Sequence, residues 1–518
     1  MALHTNLGRA FEHVVQQHGQ RCALHYPASG ERVSYTQLHA LAQHLAGVLH
    51  ARGLRRGQIV ALLHDKSPAS FALMLACLRL GLVYTNLDPG SPWERVRKIL
   101  HTCQPALVAG GFAALPFQAE LQAEGRATLH LRQFTLDDAV PAPAAPLPPL
   151  QQPDGGTPAY IMFTSGSTGA PKGAVMSHAN VLWFLAWARE RFAIVPGDVC
   201  SNVNPMYFDN SVFDFYATLW HGATLVPVSA EQVRDTRLVV RLLNEAGCSV
   251  WFSVPSMLVY LLITRALKPT DWPALRVVIF GGEGFPKTRL RQLYDLFGQR
   301  AVLENVYGPT ECTCICSAHA VTAADFDDMQ TLAPLGYLAH NFDYEILASD
   351  AGDPDVGELF LRGPQVGLGY YNEAQRSAGV FVQNPRHQLY ADRGYRTGDL
   401  VRRDASGALH FRGRADFQVK HMGYRIELEE IEAALSSITG VMECAVIYRR
   451  NGSDTGQILA YAVLDAAADA ALVPAALAAL VPPYMLPRSV AVLEALPKNA
   501  SGKIDRLALS TLASTTSP

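Results

Sequence analysis

The sequence has no long uninterrupted hydrophobic run and no strong excess of charge of either sign. Its most apolar helix-like stretch, SFALMLACL, ends at Arg79 and is too short to span a bilayer. The N-terminal MALHTNLGRAFEHVV has no apolar signal-peptide core. Forty-three Lys and Arg residues stand against 46 Asp and Glu residues, a formal net charge of −3. These features argue against a membrane protein and against nucleic acid or a membrane as the main partner.

Cysteine pairs of the C-x2-C type are also absent. The nine cysteines, an odd number scattered through 518 residues, predict reduced thiols and a cytoplasmic location. The densest group is CTCIC, with Cys312, Cys314 and Cys316, and alternation along a strand would place these thiols on one face. Structural zinc sites use C-x2-C pairs or combine cysteine with histidine. We therefore expect these thiols to line a core or a pocket rather than bind a metal.

Helix and strand patterns alternate through the first half of the chain. TQLHALAQHLAGVLHAR (36–52) has leucines at helical spacing, with Thr36 as the expected cap. QIVALL predicts a buried strand, and ASFALMLACLRLG and ERVRKILHTC predict helices. This alternation indicates an α/β fold with largely parallel sheets. The proline- and alanine-rich segment 139–156 predicts an extended surface connector.

The pattern changes after residue 357. VGELFLRG, YRTGDLV and ALHFRG predict short strands separated by turns. From about residue 415 the chain predicts a helix (ELEEIEAALSSI), two strands (CAVIYRR and QILAYAVL) and a second helix (PAALAALV). We therefore expect two domains in this mixed α/β chain, residues 1–414 and 415–518, since 518 residues exceed one ordinary core.

A loop rich in glycine and hydroxyl groups, TSGSTGAPKG (164–173), follows an apolar strand-like run. Its glycines permit close backbone approach, and its hydroxyls and Lys172 suit a phosphate. It lacks the Walker spacing, because Lys172 is followed by glycine rather than Ser or Thr, and it also fails the dinucleotide spacing G-x-G-x-x-G. The loop therefore predicts phosphate binding of another kind.

Six further motifs follow in order: NVYGPTE (305–311), GELFLRGPQVGLGYYN (357–372), YRTGDL (395–400), GRADFQVKHMGYRIELEEIE (413–432), PPYMLP (482–487) and ASGKIDR (500–506). With the loop, they make the chain resemble the adenylate-forming superfamily over nearly its whole length. It is most similar to the stand-alone amino-acid adenylation domains of nonribosomal peptide synthesis. The residues QVK and YGPTE within these motifs favour this branch of the superfamily.

This resemblance implies a large N-terminal domain of sheet-and-helix subdomains with a small barrel-like part, and a small mobile C-terminal α/β domain. It implies ATP and Mg²⁺ as cofactors. An amino acid would react with ATP to give an aminoacyl-adenylate and pyrophosphate, and the acyl group would pass to the phosphopantetheine thiol of a carrier protein. Because few residues follow Arg506 and no condensation domain precedes residue 1, we expect a free-standing enzyme that acts on a carrier protein in trans.

The resemblance also implies a nucleotide site. Asn305 and Tyr307 would contact adenine, Thr310 would lie near the α-phosphate, and Glu311 would hold the metal ion. Asp399 would accept a hydrogen bond from the ribose, and Arg414 would contact phosphate or ribose, with a surface ion pair as its alternative role. The phosphate loop would contribute Thr164, Ser165, Gly166, Ser167, Thr168, Gly169 and Lys172, and the remaining nucleotide contacts would be Gly282, Gly308 and Phe411.

Lys503, in ASGKIDR, is the expected catalytic lysine, together with Thr310 and Glu311. It would bridge the substrate carboxylate and the α-phosphate, where negative charge accumulates on attack. Lys498 is the nearby alternative, but the G-K-x-x-R pattern selects Lys503. Asp416 matches the family's hinge, about which the small domain would move between two half-reactions.

The resemblance places the amino-acid pocket around the stretch YFDNSVFDFY. Asp209 would pair with the substrate ammonium group. The predicted pocket residues are Asp209, Asn210, Phe213, Phe252, Ile279, Gly281, Val306, Cys314 and Ile315. Lys503 would close the pocket, and Asp209 is the one charged residue among the nine. The set therefore favours a neutral aliphatic substrate. Asp214 is interpreted as a surface or helix-capping carboxylate.

Three alternatives remain open at this stage. A β-amino acid substrate is compatible with Asn210 and Asp214, because moving the amine by one carbon shifts where a carboxylate is needed. An acyl- or aryl-CoA ligase would leave Asp209 without an ammonium partner. A catalytically silent binding protein of the same fold is disfavoured by Lys503, Glu311, Asp399 and the phosphate loop.

Overall fold

The structure is a computed structural model that describes residues 5–136, 154–166, 169–348, 354–451, 455–466, 468–498 and 504–515. The chain divides into two compact units. The first unit comprises Met1–Pro89, Cys103–Phe163 and Gly173–Ala415, and the second comprises Gly90–Thr102, Thr164–Lys172 and Asp416–Pro518. The connector expected at 139–156 lies, up to residue 153, outside the described residues.

The helices of the described chain are mostly short and amphipathic or fully buried. They are α1 (Leu7–His18), α2 (Tyr35–Ala51), α3 (Pro68–Leu80), α4 (Trp93–Cys103), α5 (Gln118–Ala123), α6 (His178–Phe192), α7 (Asn210–Val212), α8 (Ala230–Val233), α9 (Thr236–Ala246), α10 (Pro255–Ile263), α11 (Lys287–Phe297), α12 (Ala374–Val380), α13 (Leu428–Ser436), α14 (Val473–Ala478) and α15 (Arg506–Thr515). A π-helical turn, Phe213–Ala217, follows α7, and short 3₁₀ turns cover Leu131–Gln133, Thr310–Cys312, Ala323–Phe326 and Pro483–Met485.

Two large sheets carry most of the first unit. Their strands are β1 (Cys22–Tyr26), β2 (Glu31–Ser34), β3 (Ile59–Leu63), β4 (Val83–Leu87), β5 (Leu107–Gly110), β6 (Thr128–His130), β7 (Pro158–Thr164), β8 (Lys172–Ser177), β9 (Val199–Asn202), β10 (Thr224–Pro227), β11 (Val250–Ser253), β12 (Val277–Gly281), β13 (Val302–Tyr307), β14 (Ser317–Ala320), β15 (Tyr337–Leu338) and β18 (Gly369–Tyr370). One sheet has the order β15-β14-β13-β12-β11-β9-β10-β1-β2 and the other β18-β8-β7-β4-β3-β5-β6.

The predicted parallel α/β architecture is confirmed. In the nine-stranded sheet the strands from β13 to β1 are parallel, and antiparallel strands occupy both edges. In the seven-stranded sheet β7, β4, β3, β5 and β6 are parallel, and β18 is antiparallel to β8. Short strands buried on both faces, such as IVALL of β3, are typical of sheets covered by helices on both sides.

The small strand-rich part predicted after residue 357 is an antiparallel sheet of five strands. Its members are β16 (Asp343–Ala348), β17 (Val356–Arg362), β19 (Phe381–Gln383), β20 (Arg393–Arg403) and β21 (Leu409–Arg414). They are arranged β16-β17-β20-β19, with β21 also paired to β20. The pairing of β20 with β21 places Asp399 opposite Arg414, so two predicted site residues are neighbours through strand register alone.

The second unit contains the C-terminal elements predicted from the sequence. A hairpin of β22 (Gln418–His421) and β23 (Tyr424–Glu427) precedes α13, and a sheet is formed by β24 (Val441–Asn451), β25 (Thr455–Leu464) and β26 (Ser489–Val492). Of the apolar positions predicted for α13, Leu428, Ile431 and Leu435 are buried in the core of this unit. Ile438 lies beyond the helix end and is half-buried.

Two local predictions are wrong. Thr36 does not cap α2, because the Ser34 hydroxyl accepts the hydrogen bond from the Gln37 amide and the Gln37 side-chain oxygen accepts one from the Ser34 amide. This reciprocal capping box places the cap two residues earlier than expected, and the helix begins at Tyr35. CTCIC does not form a strand either, since it begins in a 3₁₀ turn and continues through Thr313 and Cys314, whose φ angles are +60° and +74°.

Candidate active site

The motif NVYGPTE spans the carboxyl end of β13 and the 3₁₀ turn that follows it. In parallel sheets, ligands bind beyond the carboxyl ends of the strands. Pro309 cannot donate a backbone hydrogen bond and ends the strand, and Thr310 and Glu311 lie in the first turn after it. Three side chains of this short segment bond to three separate parts of the first unit: Tyr307 to Asp399, Thr310 to Asp209, and Glu311 to Tyr370.

Tyr307, Asp399 and Arg414 form one hydrogen-bonded cluster. The Tyr307 hydroxyl donates to Asp399 Oδ2 at 2.6 Å, and Arg414 donates to Asp399 Oδ1 at 2.7 Å. Burial, followed by the Asp399 charge, raises the pKa of Tyr307 well above its usual value, so this phenol stays a donor. The two side chains of the Asp399–Arg414 ion pair are about one-tenth exposed. Arg414 therefore does form an ion pair, as its alternative role supposed, but the pair is largely buried rather than at the surface.

Four other residues predicted to contact the nucleotide lie on elements near this cluster in the chain. Asn305, on β13, donates to the Pro334 carbonyl at 2.7 Å. Gly282 follows β12, and Phe411 is half-buried on β21. Gly308 has no room for a side chain, because a Cβ there would lie 2.2 Å from the Cys314 carbonyl oxygen. Glycine at 308 is thus required by the return of the chain through Cys314.

Asp209 and Thr310 are brought together although 101 residues separate them in sequence. The Thr310 hydroxyl donates to Asp209 Oδ2 at 2.5 Å. Asp209 is half-buried at the start of α7, and Asn210 is the first residue of that helix. The Cys314 thiol lies in the same neighbourhood, since burial first and the Asp209 charge second raise its pKa. A half-buried carboxylate bonded to a hydroxyl suits a cationic ligand group.

Apolar side chains of the predicted pocket lie on adjacent strands and on the π-helical turn. The rings of Phe213 and Phe252 meet edge to face with centroids 5.0 Å apart. Phe252 on β11 is in register with Ile279 on β12, and Gly281 is in register with Val306 on β13. A Cβ at Gly281 would lie 2.3 Å from the Val306 carbonyl oxygen. Ile315 and Val306 are both buried in the same core cluster.

Glu311 has a partner that the sequence does not identify. The Tyr370 hydroxyl donates to Glu311 Oε1 at 2.6 Å, and both residues are buried. Tyr370 lies on β18, which pairs with β8 at Ala174. Its motif, GELFLRGPQVGLGYYN, carries the family resemblance, but a tyrosine in a strand is equally typical of a core. The hydrogen bond to Glu311 is the observation that separates Tyr370 from a tyrosine that only packs in the core.

The structure overturns one interpretation of a single side chain and confirms another. Asp214 is not at the surface and caps no helix, because it is fully buried and accepts hydrogen bonds from Asn202 and Asn204. The thiols of CTCIC are buried as expected. The described residues contain no group of three or more His, Cys, Asp and Glu side chains arranged to hold a metal ion.

The phosphate loop belongs to the second unit, where carboxylates bond to it. Lys172 Nζ lies 3.4 Å from Glu427 Oε1, and the Gly166 amide donates to Glu430 Oε2 at 3.1 Å. Ser165 donates to the Arg425 carbonyl and accepts from the Glu427 amide. The loop thus presents a cation, an amide and a hydroxyl to acceptor oxygens, which is the donor set that a phosphate requires.

Further contacts involve other residues of the phosphate loop and of helix α4 beside them in the second unit. The buried Thr164 hydroxyl has no hydrogen-bond partner within the described ranges, so a donor remains available to a phosphate oxygen. Gly169 has a φ of +77° and its carbonyl accepts from Lys98. Arg95 of α4 forms an ion pair with Glu430. Ser167 and Thr168 lie outside the described residues.

Of the two candidate lysines near the C-terminus, Lys503 lies outside the described residues, whereas Lys498 is placed in an exposed ion pair with Glu443 at 2.9 Å. Asp416 is exposed and is the first residue of the C-terminal segment of the second unit. Its side chain accepts a hydrogen bond from the Gln418 amide at 3.2 Å. No helix in the described part of the chain has the length and apolarity needed to cross a bilayer.

Comparison with known protein families gives two matches. A family model described as AMP-binding enzyme matches residues 11–371. A second, described as AMP-binding enzyme C-terminal domain, matches residues 430–503. The first match contains the NVYGPTE segment and the residues predicted for the amino-acid pocket.

Individual proteins are similar over almost the whole chain. An L-proline--[L-prolyl-carrier protein] ligase from Pseudomonas fluorescens is 35% identical over 493 residues, covering 92% of this chain and 94% of that protein. A D-alanine--D-alanyl carrier protein ligase from Lacticaseibacillus rhamnosus is 31% identical over 517 residues, covering 97% of this chain and 98% of that protein. The solved structure of holo-PA1221, described as an NRPS protein containing adenylation and PCP domains, matches with a TM-score of 0.82 and 27% identity, covering 98% of this chain and 84% of that one.

Proposed function

Because the chain belongs to the AMP-binding enzyme family, we propose that it is an amino acid:carrier-protein ligase that forms an aminoacyl-adenylate. A carboxylate oxygen of the amino acid attacks the α-phosphorus of ATP, and pyrophosphate leaves. The thiol of a separate carrier protein's phosphopantetheine arm then attacks the acyl carbon, and AMP leaves. The similarity to ligases named for L-prolyl- and D-alanyl-carrier proteins supports this reaction.

The observation that carries the proposal is the hydrogen bond between Thr310 and Asp209. Asp209 provides the negative charge that an ammonium group requires, beside the Phe213–Phe252 wall, while Thr310 belongs to the motif expected to contact the α-phosphate. One bond therefore connects the residue that orients the amino group to the residue expected near the reacting phosphorus. Holding both reactants in one arrangement lowers the barrier by removing their freedom to tumble.

ATP and Mg²⁺ are the proposed cofactors, and the donor sets fit them. The Tyr307–Asp399–Arg414 cluster offers hydrogen bonds to ribose, and the orphaned Thr164 hydroxyl and Lys172 suit phosphate oxygens. Glu311 would hold Mg²⁺, which would neutralise charge on the phosphates. Lys503 would place its positive charge between the carboxylate and the α-phosphate. The remaining assigned residues keep the roles that the resemblance implies.

The proposed substrate is a neutral aliphatic amino acid. Phe213, Phe252, Ile279 and Val306 supply apolar surface, and Asp209 supplies the one ammonium partner assigned among these residues. Discrimination between apolar side chains is worth only about 1–3 kcal/mol per methylene, so related aliphatic amino acids would compete.

We also propose a functional division at residues 414 and 415, with Asp416 as the hinge. The break between the two compact units at Ala415 and Asp416 supports it. A cytoplasmic location is supported by nine cysteines that are all free thiols, since reducing compartments keep thiols unpaired.

Amino-acid-dependent exchange of labelled pyrophosphate into ATP tests the first half-reaction. The panel should contain α- and β-amino acids together with matched carboxylic acids that lack the amine. We expect exchange with a neutral aliphatic amino acid and background rates with its deaminated analogue. Exchange that is equal for acids with and without the amine would point to an acyl-CoA ligase, and background exchange throughout would contradict the proposal.

Loading of a phosphopantetheinylated carrier protein tests the second half-reaction. Incubation with ATP and the preferred amino acid should add the mass of one aminoacyl group to the holo carrier. The same carrier without its phosphopantetheine arm is the control, and it should gain no mass. Release of free adenylate with no loading of any holo carrier would contradict the transfer step.

A further inference from the structure

Behind the wall formed by Phe213 and Phe252, the first unit buries a charged network to which the proposed reaction gives no role. Its ionisable members are Lys66, just before α3, and Asp214, in the π-helical turn after α7. Its neutral members are Asn202, the last residue of β9, and Asn204. All four side chains are less than one-tenth exposed. Burying a cation and a carboxylate costs free energy, so their presence calls for a specific explanation.

Asp214 is the centre of the network. Its Oδ2 atom accepts a hydrogen bond from Asn202 Nδ2 at 2.8 Å and from Asn204 Nδ2 at 3.0 Å. Burial raises the pKa of Asp214, while the two asparagine bonds and the Lys66 charge act in the opposite direction. The carboxylate is therefore held by two amide donors whose positions are set by β9 and the segment after it.

The network reaches the pocket wall through Asn204. The same Asn204 amide nitrogen donates to the Phe252 carbonyl at 3.0 Å, and the Phe252 amide donates to the Ser201 hydroxyl at 3.2 Å. The backbone of Phe252 is thus held on both sides by residues at the end of β9. Phe213, whose ring packs against Phe252, is the immediate chain neighbour of Asp214. Both aromatic residues of the wall are therefore connected to Asp214, Phe213 as its chain neighbour and Phe252 through the Asn204 amide.

Lys66 closes the network on the opposite side. Its Nζ atom donates at 2.7 Å to the carbonyl of Asn202, the last residue of β9, and at 2.8 Å to the carbonyl of Val228, which follows β10. Lys66 has a φ of +62°, a left-handed conformation that is uncommon for a residue with a side chain. Its amide donates to His64 Nδ1. The left-handed backbone of Lys66 carries some strain, and its buried ammonium group is held by the two carbonyls.

We propose that Asp214 is a positioning residue for substrate specificity, which acts through Asn204 to fix the Phe213–Phe252 wall, with Lys66 anchoring the same strand ends. The proposal rests on the proposed function, because it assigns the wall to an amino-acid side chain. Asp214 does not contact the substrate in this scheme. It sets the distance and tilt of the two aromatic rings, and π-helical turns such as Phe213–Ala217 are frequent where a helix is adapted to a function.

The test compares Asp214→Asn with Asn204→Ala in the pyrophosphate exchange assay. In Asp214→Asn, an amide replaces one acceptor oxygen and faces the two asparagine donors. In Asn204→Ala, the bond to Asp214 and the link to Phe252 are both removed, while Asn202 still bonds to Asp214. Both variants should raise the KM for the preferred amino acid about tenfold, the equivalent of about 1.4 kcal/mol, and should accept a wider range of aliphatic side chains. The KM for ATP should change less than about twofold, because the Tyr307–Asp399–Arg414 cluster is untouched.

Two further variants separate positioning from general stability. The double variant Asp214→Asn with Asn204→Ala should show no larger effect on KM than the stronger single variant, since both act along one path. Thr218→Val, a buried substitution just after the π-helical turn and outside the network, is the matched control and should leave the KM for the amino acid unchanged. Lys66→Met with Asp214→Asn removes both buried charges and provides a stable background if Asp214→Asn alone does not fold.

Each outcome decides the proposal. An active wild-type enzyme, with variants that lose thermal stability while both KM values and the amino-acid preference stay unchanged, would show a purely structural network and overturn the inference alone. Equal increases in both KM values would do the same. A wild-type enzyme without amino-acid-dependent exchange would contradict the proposed function and this inference together.

Discussion

The predicted site residues of the two units are organised in different ways. In the first unit they bond to one another: Tyr307 and Arg414 to Asp399, and Thr310 to Asp209. In the second unit, the phosphate loop bonds to Glu427 and Glu430, acids to which the resemblance assigns no ligand. The difference indicates that the residues of the first unit are arranged before substrates bind, whereas the loop, if it binds phosphate as proposed, would have to exchange carboxylates for phosphates. Preorganised donors avoid reorganisation during the reaction.

The largest effect on activity is expected for Lys503, which belongs neither to the bonded residues of the first unit nor to the phosphate loop. Lys503→Ala should lower the rate of adenylate formation by about 10²–10³-fold, because it removes a charge that the transition state needs and that neither arrangement replaces. Pyrophosphate exchange under saturating substrates measures this loss. Lys498→Ala, which breaks only the exposed pair with Glu443, is the matched control and should retain nearly full activity. Wild-type exchange by Lys503→Ala would contradict the assignment.

Asp209→Ala tests whether the preorganised region depends on its charge. Removing this carboxylate leaves the ammonium group unpaired and takes a partner from Thr310, so kcat/KM for the amino acid should fall about 10²-fold, or roughly 2–3 kcal/mol. The KM for ATP should remain within about twofold. A loss shared equally between the two substrates would instead indicate a collapse of the whole site.

Acid should destabilise the first unit, because protonation of His178 is unfavourable in the folded state. Burial, followed by the charge of Arg56, lowers the pKa of His178 to about 4, and its Nδ1 atom accepts a hydrogen bond from the Leu7 amide at 3.1 Å. Because the folded-state pKa lies below the usual 6.5, this contribution to stability is complete above about pH 6.5 and is lost as the pH falls toward 4.

The expected loss at pH 4.5 is about 1–3 kcal/mol, and thermal unfolding between pH 7 and pH 4.5 measures it. His178→Gln keeps an acceptor for the Leu7 amide without a titrating ring, so its unfolding temperature should vary less over this range. Identical pH profiles for the two proteins would show that other groups dominate acid unfolding.

Tyr307→Phe removes one bond from the preorganised cluster and leaves the ring in place. The KM for ATP should rise about tenfold, since a hydrogen bond to a charged partner contributes roughly 1.5 kcal/mol or more. The KM for the amino acid should stay constant. Tyr260→Phe, at an exposed tyrosine of α10, is the matched control. An unchanged KM for ATP would mean that Asp399 is oriented by Arg414 alone.

Glu427→Gln tests whether a carboxylate that bonds to the phosphate loop competes with phosphate. If Glu427 competes with phosphate for Lys172, the neutral amide should lower the KM for ATP by about threefold, a modest effect of roughly 0.6 kcal/mol. Glu443→Gln removes an acid of the same unit that pairs with an exposed lysine, and it should have no effect. A higher KM for Glu427→Gln would indicate that this carboxylate supports the loop instead of occupying it.

Much of the fold follows from local patterns. The spacing of apolar residues predicts α2, α3 and α13, and the short apolar runs predict β3, β17, β24 and β25. The start of α2 is missed because both Ser34 and Thr36 are good caps, and only the bond between Ser34 and Gln37 distinguishes them. The strand expected for CTCIC is missed because left-handed residues at 313 and 314 are set by the close approach of Gly308, a contact that alternation does not reveal.

The hydrogen-bond partners of the site residues are harder to predict from the sequence. The family resemblance predicts Asp209, Thr310, Glu311 and Asp399 as site residues, yet Tyr370 resembles an ordinary core tyrosine until its hydroxyl is seen to bond Glu311. Asp214 is misinterpreted for the same reason. An aspartate just after a short helix is usually exposed, and nothing in YFDNSVFDFY shows that two asparagines will cover it.

By itself, the sequence determined the α/β alternation, the family, the reaction and the residue types that the chemistry requires, because these depend on local spacing and on motifs conspicuous within one chain. The tertiary structure alone decided which partners those residues have. Glu427 meets Lys172 across 255 positions, and Phe252 is held by Asn204 across 48. Such pairs depend on which strand ends and loops the fold brings together, and on the burial that makes each charge seek a partner.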